Sequence, residues 1–108
     1  MTTALITGAT GFIGQYLLHD LLDAGWQCRV LTRSAWPDLA QSGVEVVRGD
    51  ITQPVSLTGV ADDVDVVFHL AGAGHVAAVS SKAYAEFRAI NVEGVKNLIA
   101  VCRGVSLR

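Results

Sequence analysis

Apolar residues fall along this chain in two rhythms. Short runs rich in Val, Ile, Leu and Phe occupy Thr2 to Thr7, Gln27 to Arg33, Val44 to Asp50 and Asp65 to Ala71, and the first and last are apolar almost throughout. Runs of that length without polar alternation suit strands covered on both faces. Between the first two, Ile13, Leu17 and Leu21 recur at helical spacing within Phe12 to Ala24, and Gly25 stands where a helix would stop. The next crossover is compressed, because Ser34-Ala35-Trp36-Pro37 breaks the chain and leaves only Asp38 to Ser42 for a short helix. Pro54 to Ala61 predicts another short helix, and Ala83 to Arg103 carries Phe87, Asn91, Val95, Leu98 and Cys102 on one helical face.

Alternation of this kind implies an α/β fold: a doubly wound parallel sheet with right-handed crossovers and helices on both faces. The expected strand order is 3-2-1-4. No repeat, linker or low-complexity segment divides the chain, so residues 1–108 read as one domain. That domain is expected to be incomplete, since Gly104-Val105-Ser106-Leu107-Arg108 resembles a helix exit and the first residues of a fifth strand. The fourth strand would then be an open edge, which invites pairing with another chain, so self-association or poor solubility is the hypothesis it raises.

Composition narrows the partners. A chain of 108 residues that is 51% hydrophobic and 17% charged is large and apolar enough to bury a core. A net charge of −2 without a Lys/Arg cluster offers no footprint for nucleic acid or an anionic membrane. No apolar run approaches the ~20 residues that span a bilayer. Met1 leads at once into a strand, leaving no room for a signal peptide, so the expected location is cytoplasmic. Cys28 and Cys102 are too few and too distant for a disulfide framework or zinc site, and read as small buried hydrophobes.

The candidate chemistry gathers in TGATGFIG, Thr7 to Gly14, directly after the first apolar run. Gly8 permits a turn that a Cβ would obstruct, Gly11 lets the backbone approach a ligand, and Gly14 lets the following helix lie tight against the sheet. A helix beginning near Phe12 directs unpaired N–H groups and the positive end of its dipole toward that turn, which suits a pyrophosphate. Glycines so placed between strand and helix predict a dinucleotide site. An NAD site usually carries Asp or Glu at the end of the second strand, about 20 residues beyond the glycines, to bind the ribose hydroxyls. Here the segment is CRVLTRS, Cys28 to Ser34. Arg33 offers a doubly donating fork for a 2′-phosphate and Thr32 or Ser34 can add hydroxyls, so NADP is favoured over NAD. Arg29 is a less favoured second contact.

TGATGFIG resembles the TGxxGxxG fingerprint of the extended short-chain dehydrogenase/reductase family, the NAD(P)-dependent epimerases, dehydratases and reductases. Three further segments agree with that family in order: VVRGDIT at Val46 to Thr52, VVFHLAG at Val66 to Gly72, and INVEGVKNLI at Ile90 to Ile99. The resemblance implies a Rossmann fold and cofactor contacts from Gly8, Thr10, Gly11, Phe12, Ile13 and Gly14. It further implies that Asp50, with Ile51 beside it, meets the adenine, that Leu70, Ala71 and Gly72 pass under the cofactor, and that Asn91 supports the active centre. An Arg after the second strand is similar to the reductase branch.

Each of these residues also has a plainer role open to it. Asp50 can cap a turn, His69 can be a satisfied core histidine rather than a base, and Asn91 can bridge neighbouring backbone. Gly94 inside a helix suggests close packing against a neighbour, and His75 an exposed loop. In the family a Tyr and Lys four residues apart, with a nearby Ser or Thr, move the proton. This chain contains no such pair. Tyr84 and Arg88 have the spacing, but with Arg in place of Lys and on the helix that carries Asn91, and Lys82 is an ordinary surface charge. No catalytic residue and no metal ligand is therefore assigned.

The resulting expectation is an NAD(P)-binding portion of an oxidoreductase whose full-length form reduces, epimerises or dehydrates a small carbonyl or sugar-nucleotide substrate. The piece itself would bind without turnover. Two other readings stay open: a non-catalytic NADP-sensing module that controls association with a partner protein, and a fragment that folds without a working cofactor site.

Overall fold

A computed structural model describes residues 2–9, 12–33, 44–70, 85 and 88–103. In chain order they form β1 (Thr3–Thr7), α1 (Phe12–Asp23), β2 (Gln27–Thr32), β3 (Val44–Arg48), a 3₁₀ turn (Pro54–Leu57), β4 (Val66–His69), a π-helical turn (Ala89–Glu93) and α2 (Gly94–Arg103). The strands make one parallel sheet in the order β3-β2-β1-β4, as the alternation predicted. Among the described residues β4 pairs only with β1.

Period-two alternation in β1 sends its residues into two cores. Ala4 and Ile6 face α1, packing with Ala9, Leu18, Leu21, Cys28 and Val30. Leu5 faces the opposite layer, joining Leu31, Ile51, Leu57, Val60, Val64 and Leu98. Neighbouring parallel strands in register present the same face, so Ala4 beside Cys28 and Ile6 beside Val30 extend the first core across the sheet. Trp26 and Phe68 close its border with ring centroids 6.3 Å apart. Cover on both faces is why Ala4, Leu5 and Ile6, between the two terminal threonines of β1, are all apolar.

Gly25 ends α1 as its position predicted. Its φ of +86° lies in the left-handed region, Trp26 N–H donates to the Leu21 carbonyl, and Gly25 N–H donates to that of Leu22. This is the Schellman pattern of a glycine-terminated helix.

Three local expectations need correction. Ile13 is 70% exposed rather than in the core stripe of α1, because Gly14, Leu18 and Leu21 turn inward. The stretch from Pro54 forms only a 3₁₀ turn to Leu57, followed by turns through Asp63. The buried face of the last helix runs through Ile90, Gly94, Leu98 and Val101, not through Asn91, Val95 and Cys102. Gly94 explains that rotation: Ile51 lies where a Cβ would be, 2.6 Å from Ile51 Cδ1, so the helix approaches the sheet on its side-chain-free face. Cys102 is accordingly only partly buried, lining a groove of about 360 Å³ between β4 and α2 with Val67, His69, Val95 and Ile99. Cys28 is buried as expected, and desolvation raises the pKa of both thiols. The expected break at 34–37, the short helix at 38–42 and the exit at 104–108 lie outside the described residues.

Candidate functional site

Four parallel strands put all their C-terminal ends on one edge of the sheet. Thr7 is in register with Leu31 on one side and His69 on the other, and Thr32 with Arg48. Gly8, Arg33, Asp50 and Leu70 therefore emerge along the same edge. With β2 and β4 flanking β1 on opposite sides, the point where strand order reverses lies at the end of β1, where α/β sheets open a crevice for ligands.

The glycine turn occupies that point. Gly8 has φ +76°, which an L side chain rarely adopts. A Cβ on Gly14 would strike the Gly8 carbonyl oxygen and lie 2.6 Å from Ala9 Cα and 2.9 Å from the Gly8 carbonyl carbon. These are backbone atoms, so no rotamer change would relieve the contact. The missing side chain brings the first turn of α1 directly against the turn that precedes it. Phe12 opens α1 and Ile13 is exposed beside it, while Thr10 and Gly11 lie outside the described residues.

Hydrogen bonds tie β1 to β4 at the floor of the crevice. Leu70 N–H donates to the Thr7 carbonyl at 3.0 Å and reaches Thr7 Oγ1 at 3.1 Å, and Thr7 Oγ1 lies 2.6 Å from His69 Nδ1. Burial lowers the His69 pKa, favouring the neutral ring. His69 is thus a paired structural residue beneath the site, and Leu70 reaches its exposed rim. Ala71, Gly72 and His75 lie outside the described residues.

On the other flank, Gly49 N–H donates to the Thr32 carbonyl at 2.8 Å and carries the β2–β3 ladder one step further. Arg33 and Asp50 follow immediately. Asp50 Oδ1 accepts from Thr52 N–H at 2.9 Å and Thr52 Oγ1 at 2.7 Å. The Thr52 amide, then its hydroxyl, hold the Asp50 carboxyl below its ordinary pKa, and the field of Arg33 acts in the same direction. Asp50 thus takes the turn-capping role, while its Oδ2 accepts nothing from the described residues. Arg29 is committed elsewhere: Nε binds Glu45 Oε1 at 2.8 Å, and one terminal nitrogen donates to the carbonyls of Val60 at 2.8 Å and Asp62 at 2.7 Å. That removes it as a second cofactor contact.

Sequence reasoning passed over Asn97. Its side-chain amide donates to the Ile51 carbonyl at 2.7 Å, joining α2 to the turn after β3. The available signal was a carboxamide one turn after Gly94, just ahead of the apolar run Leu98 to Cys102. Asn91 is partly buried in the π-helical turn, whose extra width is marked by Gly94 N–H donating to the Ala89 carbonyl. Arg88 lies 3.9 Å from Glu93, an exposed pairing of little energetic weight. Tyr84 and Lys82 lie outside the described residues. Among the described residues no cluster of His, Cys, Asp or Glu could hold a metal, and no helix is long and apolar enough to cross a membrane.

A parallel sheet with a tight glycine turn and helix start at its switch point is the dinucleotide-binding, Rossmann class of α/β fold. Within that class the chain belongs to the NAD dependent epimerase/dehydratase family, whose family model matches residues 4–108. It is 36% identical over 99 residues to a 2-alkyl-3-oxoalkanoate reductase of Stenotrophomonas maltophilia, covering 92% of this chain and 29% of that protein. It is 34% identical over 108 residues to a ceramide reductase of Caulobacter vibrioides, covering 95% and 32%. Among solved structures, UDP-glucuronic acid 4-epimerase of Bacillus cereus, in complex with UDP-glucuronic acid and NAD, superposes with a TM-score of 0.84 at 25% identity, covering 98% of this chain and 38% of that one. The chain thus spans about a third of the length of these relatives.

Proposed function

We propose that this chain is the nucleotide-binding part of an NADP(H)-dependent oxidoreductase whose whole form reduces, epimerises or dehydrates a small carbonyl or sugar-nucleotide substrate. The observation that carries the reading is the pairing of the glycine turn at the switch point with a cation, Arg33, at the end of β2. Gly8, Thr10, Gly11, Phe12, Ile13 and Gly14 would take the pyrophosphate, and Arg33 the 2′-phosphate. Asp50 and Ile51 would meet the adenine, and Leu70, Ala71 and Gly72 would line the path toward the nicotinamide, where Asn91 would support the active centre. No described carboxylate ends β2, and a carboxylate there would repel a 2′-phosphate. The reductases among the relatives support the reaction class. The site residues of this chain bind and orient the dinucleotide, which supplies the hydride when bound. The same proposal places the protein in the cytoplasm, in keeping with two unpaired thiols, Cys28 and Cys102.

Calorimetric titration with NADP⁺ and NAD⁺, repeated on Arg33→Asp, tests it. The expected result is tighter binding of NADP⁺ that reverses in the variant. Equal affinity of the wild-type chain for the two dinucleotides would refute the 2′-phosphate role of Arg33.

A further inference from the structure

We propose that Asn97 is a positioning residue for the adenine end of the site: through the Ile51–Thr52 peptide it holds the Asp50 carboxylate with one oxygen free for a ligand. The inference rests on the dinucleotide reading above. Its ground is a single peptide unit held at both ends. The carbonyl of that peptide, Ile51 O, accepts from Asn97 Nδ2 at 2.7 Å, and its amide, Thr52 N–H, donates to Asp50 Oδ1 at 2.9 Å. The peptide is planar, so fixing its oxygen fixes the direction of its N–H. That N–H, with the Thr52 hydroxyl at 2.7 Å, selects which carboxylate oxygen of Asp50 is occupied. Oδ2 is left as an acceptor on the ligand-facing edge of the sheet, suited to an exocyclic amine.

Packing alone does not supply this control. Ile51 is buried, and its side chain sits over Gly94. A peptide flip, however, rotates the plane between two Cα atoms while leaving both side chains where they are. Only bonds to the carbonyl and the amide oppose it, and Asn97 makes the one that comes from outside the turn. The two contacts also divide the work of α2: Gly94 sets the distance of the helix from the turn, and Asn97, one turn later, sets the orientation of the peptide.

The test is a pH titration of the Asp50 carboxyl by carbon NMR in the 108-residue chain, as wild type, Asn97→Ala and Val101→Ala. A titration of each with adenosine 2′,5′-bisphosphate accompanies it. Val101 packs on the same core and its side chain has no group that could hydrogen-bond the peptide, so it controls for general loosening of α2. Arg33, the charged described residue whose field reaches Asp50, is unchanged in both variants. Asn97→Ala is expected to move the Asp50 midpoint up toward the ordinary carboxylate value and to weaken the bisphosphate about five- to tenfold, the effect of one lost hydrogen bond. Val101→Ala should leave the midpoint in place. Asn97→Leu, close in size, gives the same comparison if the truncation does not fold. An Asp50 midpoint that stays put in the Asn97 variants overturns the clamp, whatever the chain binds. A wild-type chain that binds no bisphosphate overturns the functional reading and the adenine role with it.

Discussion

Replacing Gly14 by alanine should cost stability even though it adds a better helix former to α1. In an exposed helix interior that exchange stabilises by about 1 kcal/mol. Here the new methyl would strike the Gly8 carbonyl oxygen and lie 2.6 Å from Ala9 Cα. Carbon atoms in ordinary contact stand about 3.5–4.0 Å apart, so roughly 1 Å of separation must be found. Every obstructing atom belongs to the backbone of a turn whose φ is already +76°, so α1 itself has to move. Overpacking of this kind typically costs about 1–3 kcal/mol. Against the propensity gain, a net loss of about 1–2 kcal/mol is expected at the upper end of that range. Urea unfolding measures it, and an NADP⁺ titration should show a further loss of affinity as the helix start leaves the turn. Gly94→Ala supplies the contrast. The atoms nearest its Cβ belong to one side chain, Ile51 Cδ1 at 2.6 Å and Cγ1 at 2.8 Å, which can give way. It should stay within about 1 kcal/mol of wild type. A Gly14→Ala chain as stable and as well bound as wild type, or one less perturbed than Gly94→Ala, would refute the reasoning.

Two further outcomes follow from particular contacts. Arg29→Lys should lose about 1–3 kcal/mol in urea unfolding, because a lysine cannot hold Glu45 and the Val60 and Asp62 carbonyls together; an unchanged midpoint would mean the fork contributes nothing. His69 is held below its ordinary pKa by burial, so the unfolded chain takes up its proton first. Its contribution is fully present above the unfolded value of about 6.5 and is lost as pH falls through the folded value. His69→Gln should lessen the fall in stability across that window, and a variant with the wild-type slope would contradict the burial argument.

The sheet was legible because its strands are covered on both faces. Continuous apolar runs marked β1 and β4, and a lone Gly25 after an apolar helical stripe marked the end of α1. The switch-point position of TGATGFIG followed from strand order alone. Less legible were features decided by contact between distant segments. Helical spacing allowed two overlapping faces for the last helix, and both include Leu98; the choice between them rests on Ile51 seating over Gly94, a contact between residues 43 positions apart. Arg29 read as a free cation because two of its three acceptors are backbone carbonyls, which leave no mark in side-chain chemistry. Asn97 was passed over for the same reason, since its partner is the carbonyl of Ile51. Ile13 fell on the apolar stripe of α1 by period, yet the tight approach of Gly14 to the turn rotates it outward. Its exposure at the crevice, an unfavourable place for a core residue, suits one that meets a ligand.

On the function proposed above, a dinucleotide lies along the C-terminal edge of the sheet, from the glycine turn to the end of β3. Adding NADP⁺ to the nitrogen-labelled chain and following its amide resonances tests that most directly. The account predicts shifts concentrated at Gly8, Ala9, Gly14, Arg33, Asp50, Ile51 and Leu70, with the NADP⁺-specific part, absent with NAD⁺, centred on Arg33. Shifts gathered instead in the groove between β4 and α2, at Val67, Val95 and Cys102, or no shifts at all, would contradict it.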